Sequence, residues 1–204
     1  MMKKKYCISS YCHIRDNTIS LNGKTIYTGQ HSDLKSLTKS AYRHFDIDYP
    51  KFFKMDNLSR LGFLAAEILL TNEGVLPENE EDIAIVLSNR ASSLDTDRKH
   101  WESIRDSHNY YPSPAIFVYT LPNICIGEIS IRHKLYSENS FFIFDEFNPN
   151  HLFSYANGLL DTEKTRKVLC GWVDVDGPVY KAFLYLVGKE GPVLHSIEEI
   201  TRLF

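Results

Sequence analysis

Residues 82–88 read Asp-Ile-Ala-Ile-Val-Leu-Ser, a compact β-branched run without polar alternation, and this run constrains the fold more than any other part of the chain. A strand with one buried face alternates apolar and polar side chains. A run that is apolar at successive positions belongs to a strand covered on both faces, the usual situation of parallel strands in layered α/β proteins. The preceding segment agrees: Asp56-Asn57 stand before apolar residues at Leu58, Leu61, Leu64, Ala65, Ile68 and Leu69, the spacing of an amphipathic helix with a polar cap. Between helix and strand, the acidic tract over 72–82, with Gly74 and Pro77, reads as a surface loop.

The alternation continues downstream. Residues 112–132 form a helical region in which Pro122 is expected in a first turn and Ile126, Ile129 and Ser130 carry one face to Arg132. A strand follows over 141–144. Asn148-Pro149 then gives an N-cap with proline at the first helical position, launching a helix through Leu152, Tyr155, Ala156 and Leu159. Strands over 168–175 and 180–187 are joined by the turn Asp176-Gly177-Pro178, and the stretches 6–14 and 25–27 contribute a strand and its surroundings. The expected fold is α/β, a layered mixed sheet flanked by helices and closed by an antiparallel hairpin, with residues 1–204 as one domain.

Composition serves mainly to exclude. Twenty-six acidic against 23 basic residues, a net charge of −3, argues against a dedicated nucleic-acid binder. The most apolar region, 115–131, is broken by Pro122, Asn123 and Glu128 and falls short of the run of about 20 residues that a spanning helix needs. The basic start Met-Met-Lys-Lys-Lys is followed by no sustained apolar stretch, so no export signal is read and a cytoplasmic protein, not bound to a membrane, is expected. Four cysteines, Cys7, Cys12, Cys125 and Cys170, form no C-x-x-C pair and suit reduced thiols; Cys7, Cys12 and His13 match no familiar zinc spacing, and no metal or cofactor is expected.

In order and spacing, YPKFFKMDNLSRLGFLAAEILL, DIAIVLSNRASS and PSPAIFVYTLPNICIGEISIRHKLYSEN resemble the amino-terminal half of the β-ketoacyl synthases (3-oxoacyl-acyl-carrier-protein synthases), condensing enzymes of thiolase fold. The resemblance covers roughly 49–188 and implies a single half-fold of that architecture. In the family, a helix end like Ile129-Ser-Ile-Arg-His leads through a turn ending in Asn to a strand that delivers a nucleophilic cysteine to a sharp bend. Carried over, Asn139 is the turn residue, 140–144 the strand, and Glu146 stands at the cysteine position, with Asp145 or Phe147 there if the match slips by one. None is a cysteine. A condensing enzyme needs a thiolate that holds an acyl group as a thioester, and a carboxylate would form a hydrolysis-prone mixed anhydride instead. The family's two histidines lie in a carboxy-terminal half with no counterpart in this sequence, so no catalytic role transfers to His13, His108, His133, His151 or His195.

Two readings of the bend stay open. Glu146 caps the following helix, contributing about 0.3 to 1 kcal/mol, or Glu146 and Asp145 form an acid/base pair. Cys125 is the best remaining thiol and reads as a small packed residue. Lys51, Lys54, Arg60, Arg132 and Lys134 are candidates for attracting an acidic acyl carrier protein. Trp101, Tyr110, Tyr111, Phe141 and Phe142 are candidates for lining an acyl tunnel or building the core. The resemblance implies a homo- or hetero-dimer and, foremost, a non-condensing partner subunit like the chain-length factors of fatty-acid, polyketide or aryl-polyene type pathways, with a complete ketosynthase and acyl carrier protein as partners. The alternatives are a small acyl-thioester decarboxylase or hydrolase using Asp145 and Glu146, or a homodimeric module that binds acyl chains or carrier protein.

Overall fold

The computed structural model describes residues 6–30, 33–77, 79–108 and 110–204; the basic start over 1–5 lies outside them. In chain order the strands are β1 (Cys7–Arg15), β2 (Thr18–Leu21), β3 (Lys24–Thr28), β4 (Ile83–Asn89), β5 (Asn139–Ile143), β6 (Lys167–Asp176), β7 (Val179–Gly188) and β8 (Val193–Leu194). The helices are α1 (Leu34–His44), α2 (Asn57–Asn72), α3 (Leu94–Ile104), α4 (Pro114–Phe117), α5 (Ile124–His133), α6 (Pro149–Asp161) and α7 (Ile197–Leu203), with short 3-10 turns at Pro50–Lys54 and Val118–Thr120. One mixed sheet runs in the order β3-β2-β1-β7-β6-β4-β5, and β8 pairs with the start of β1. β4 lies between β6 and β5 and is parallel to both, while β6-β7, β7-β1, β1-β2 and β2-β3 are antiparallel.

The apolar run over 82–88 is the hinge of this arrangement. Ile83, Ile85 and Leu87 of β4 enter one core, with α1, α2 and α5, and Ala84 and Val86 enter the other, with α6 and α7. β6 and β7 split the same way: Leu169, Val173, Leu184 and Leu186 face the first core, and Val168, Cys170, Phe183 and Tyr185 the second. β1 obeys the rule only because of a bulge between Ile8 and Ser10, which reverses its parity so that Ile8 faces the second core while Cys12 and Ile14 face the first. Cys12 and the adjacent His13 therefore point to opposite faces, which separates the ligands of the zinc arrangement considered above.

Helix α2 is buried along most of its length and capped by Asp56, whose side chain accepts from Ser59 N at 2.8 Å. It touches α5 closely at Gly62, where a Cβ would overlap Cys125 Sγ. Gly171 on β6 is equally constrained, since a Cβ there would overlap the Phe183 carbonyl and Leu184. The expected Pro122 position is corrected: α5 begins at Ile124 behind Asn123, and Pro122 belongs to the preceding turn, where its carbonyl accepts from Cys125 N. Among the described residues no single helix is long and apolar enough to cross a membrane.

Candidate functional site

At the predicted strand-to-helix junction, β5 runs along β4 in register from Ile85↔Asn139 to Asn89↔Ile143, and Phe144 N extends the ladder by donating to Asn89 O at 2.9 Å. The chain then bends at Asp145 and Glu146, whose side chains are both exposed. Phe147 turns inward and stacks on Phe204 at 3.9 Å between ring centres, with its edge toward Phe183 and Trp172. Asn148 caps α6, its Oδ1 accepting from His151 N at 2.9 Å, and Pro149 follows as expected. The capping role read for Glu146 is thus corrected: the helix starts two residues later than that role requires, and Asn148 fills it.

Behind the bend, Phe142 makes T-shaped contacts with the rings of His151 and Tyr155. Tyr155 OH donates to Glu138 Oε1 at 2.8 Å and lies 2.9 Å from Ser140 Oγ, and Lys164 pairs with Glu138 at 3.1 Å. The bonds from Tyr155 and then Lys164 hold the Glu138 carboxyl below the usual range. This cluster ties α6 and the turn after it to β5, the outermost strand of the sheet, whose other edge pairs with no strand among the described residues.

The thiols sit elsewhere. Cys125 is fully buried on α5 with Sγ 3.8 Å from Leu58 O, and burial pushes its thiol up, reinforced by Asp56 and Glu128. Burial likewise raises Cys170 and pushes Cys12 up to about 12, so all three are held protonated. Cys7 is half-buried at the start of β1.

Two of the predicted cations pair with buried carboxylates. Arg132 grips Glu67 with Nε and Nη2 at 2.7 to 3.2 Å and donates from Nη1 to Asp48 O, while His133 Nε2 lies 2.9 Å from the same carboxylate. Burial alone would raise the Glu67 carboxyl; the bonds from His133 and Arg132 outweigh it and hold it low. Lys51 pairs with buried Glu128 at 2.8 Å, whose Oε1 accepts from Tyr119 OH at 2.9 Å. Of the five basic residues read as a carrier-protein surface, Lys51 and Arg132 are therefore structural, and Lys54 and Arg60 line a separate cleft. The candidate tunnel aromatics divide too: Trp101, Tyr110 and Tyr111 are exposed, and Phe141 and Phe142 pack on opposite cores. Sequence reasoning did not find the Glu67–Arg132–His133 cluster, although three ionisable residues on otherwise apolar helices were a visible signal.

No protein-family model and no curated protein sequence matches the chain. Solved structures do. The ishigamide ketosynthase/chain length factor is 15% identical with a TM-score of 0.63, over 90% of this chain and 62% of that one. A ketosynthase in complex with its chain length factor from Xenorhabdus doucetiae is 16% identical with a TM-score of 0.60, over 94% of this chain and 81% of that one. A type II polyketide synthase acyl-carrier protein in complex with its ketosynthase is 11% identical with a TM-score of 0.60, over 92% and 63%. The fold is therefore the ketosynthase-like, thiolase-type α/β fold. The chain spans less than two thirds of the first and third of these structures, and the identities establish the architecture alone.

Proposed function

We propose that the chain, acting as one unit over 1–204, is a non-condensing ketosynthase-like subunit that pairs with a complete ketosynthase in fatty-acid, polyketide or aryl-polyene type biosynthesis in the cytoplasm. The observation that carries this reading is the bend after β5: on a ketosynthase-like fold it presents two exposed carboxylates, Asp145 and Glu146, and no sulfur. Glu146 occupies the vacated thioester position in this reading, and the partner supplies the cysteine. Acyl carrier protein meets the assembly through the complete subunit. Beside the bend, the outer edge of β5 pairs with no strand among the described residues and Ile143 is 53% exposed, while Ile131 of α5, at 61%, and Tyr136, between α5 and β5, at 71%, are exposed as well. An open strand edge beside exposed apolar side chains is a surface that a second chain stabilises by covering.

The test is co-expression with a complete ketosynthase and carrier protein from the same genome, followed by size-exclusion chromatography and incubation with labelled malonyl- and acyl-carrier protein. The expected result is a heterodimer in which label is found on the partner's cysteine and never on this chain, and which Ile143→Lys dissociates. Acyl-thioester turnover by the purified chain alone, abolished by Glu146→Gln with folding unchanged, overturns the reading in favour of a small hydrolase or decarboxylase. A stable homodimer that ignores the synthase overturns it in favour of a binding module.

A further inference from the structure

A cleft of about 660 Å³ opens between the starts of α1 and α2, the face of α3, and the β6–β7 turn at Gly177 and Pro178. It lies beyond the carboxyl end of β6, the end of the parallel strands at which open α/β sheets place ligands. Its volume falls within the roughly 300 to 1,000 Å³ usual for small-molecule sites. Lys35, Lys54, Arg60 and Lys99 contribute four positive charges to the lining against the two carboxylates of Asp33 and Asp56. Asp95 pairs with Lys99, so the balance at the cleft is +1, in a chain whose overall charge is −3, a local concentration of positive potential.

The charges are also unevenly engaged. Asp33 Oδ1 accepts from Ser36 N, and Asp56 accepts from Ser59 N and from Thr96 Oγ1 at 2.7 Å, so both carboxylates are occupied with capping their helices. Lys99 pairs with Asp95 at 2.6 Å. Arg60 is half-buried and spends its donors on neutral carbonyls, Met55 O at 2.8 Å and Phe52 O at 3.5 Å, beneath the Phe52 ring. Among the described residues no carboxylate lies within ion-pairing distance of Arg60, Lys35 or Lys54. Met55, Ile116 and the ring of Tyr119 add an apolar part to the lining. The hollow at the other end of the sheet, around Arg166 and Lys189, has cations too, but its lining is polar and glycine-rich and offers an apolar body no large side chain.

We infer that this cleft binds a phosphate monoester carried on a short apolar body, with the phosphate at Arg60, Lys54 and Lys35 and the body against Met55, Ile116 and Tyr119. A phosphate monoester carries about −1.5 to −2 charge and three acceptor oxygens, which suits the three cations Arg60, Lys54 and Lys35 that have no carboxylate partner within ion-pairing distance, where a carboxylate offers two oxygens and a single charge. The inference does not depend on the partner-subunit reading, because the cleft contains neither Asp145 nor Glu146.

The experiment is an NMR titration of the full chain with hexyl phosphate, hexanoate and inorganic phosphate. Hexyl phosphate is expected to give saturable shifts centred on the amides of Met55, Thr96 and Gly177, with hexanoate and inorganic phosphate each binding about tenfold more weakly. Lys35→Gln combined with Lys54→Gln, both exposed positions that leave the fold intact, is expected to weaken hexyl phosphate by about tenfold or more. Arg60→Gln is expected to do the same, and a thermal melt identifies any share due to lost carbonyl bonds. Absence of saturable shifts at the cleft overturns the inference, as does unchanged affinity in the double lysine variant. Hexanoate binding as tightly as hexyl phosphate overturns the phosphate assignment, and inorganic phosphate doing so overturns the role of the apolar part of the lining.

Discussion

Two buried histidines hold helix α7 at its two ends, and acid should release it. His13, 6% exposed, stacks on Phe183 at 4.7 Å and donates from Nε2 to Leu203 O at 2.8 Å; burial, aided by Arg15 and Lys181, lowers its pKa to about 4. His195, 5% exposed, precedes the Ser196 cap, has Nδ1 3.1 Å from Asn157 Oδ1, and sits against Phe153 and Tyr185; burial lowers its pKa to about 4 as well. Both are neutral in the folded protein at neutral pH, and both take up a proton more readily when unfolded, where the ordinary value of 6.5 applies.

The sign follows directly. Between pH 6.5 and about 4 the unfolded chain binds more protons than the folded one, so stability is complete above 6.5 and is lost as pH falls through that window. Moving one group from 6.5 to about 4 corresponds to about 3 kcal/mol, and the pair together to about 6 kcal/mol, a large share of a typical total of about 5 to 15 kcal/mol. Urea unfolding at a series of pH values should therefore show stability falling by up to about 1.4 kcal/mol per pH step for each histidine. Carboxylates of the unfolded chain titrate at the lower end of this window, and their contribution is common to all variants. In His13→Gln and His195→Gln the slope over the window should shrink by one histidine's share, and in the double variant by both. Parallel pH profiles for wild type and variants would refute the assignment of the acid sensitivity to these two side chains.

Other expectations are local. Asn148→Ala removes the α6 cap and should cost about 1 kcal/mol in denaturant unfolding, whereas Glu146→Ala should cost nothing measurable. Glu67→Gln leaves Arg132 and His133 without their carboxylate and should destabilise by about 3 kcal/mol or more; a smaller loss would show that the cluster is not desolvated as its burial implies. Iodoacetamide followed by mass spectrometry should label Cys7 in the native protein and reach Cys12, Cys125 and Cys170 only in urea. Equal native labelling of Cys125 would contradict its packing against Gly62.

The elements legible in the sequence are those whose burial writes a pattern into the chain. β4, β6 and β7 are apolar at nearly every position because both faces are covered, and α2 carries a wide apolar surface because α5, α1 and the sheet all pack on it. Two of the elements that went unread, α3 and α7, bury too little to leave such a trace. Thr96 is the one fully buried residue of α3, and α7 is a seven-residue helix with only Ile200 and Leu203 inward. The β2–β3 hairpin is a different case, because Asn22-Gly23 is the strongest two-residue turn signal there is, and both residues adopt the positive φ such a turn requires, 51° and 80°. That signal was available and was masked by the low apolar content of the strands around it.

The bend at Asp145 and Glu146 shows where local reading ends. Sequence located the strand, the cap and the proline correctly, yet three consecutive residues competed for one position and nothing nearby distinguished them. What separates them is Phe147, drawn inward by Phe204, Trp172 and Phe183 from β6, β7 and the end of α7. With Phe147 fixed inside and Asn148 committed to the cap, the two carboxylates before them turn outward. Their exposure is decided by a contact with the far end of the chain. Phe204→Ala should therefore loosen the bend and raise amide exchange at Glu146 and Phe147 more than at Ile143, while unchanged exchange at the bend would mean that β5 and the Asn148 cap hold it unaided.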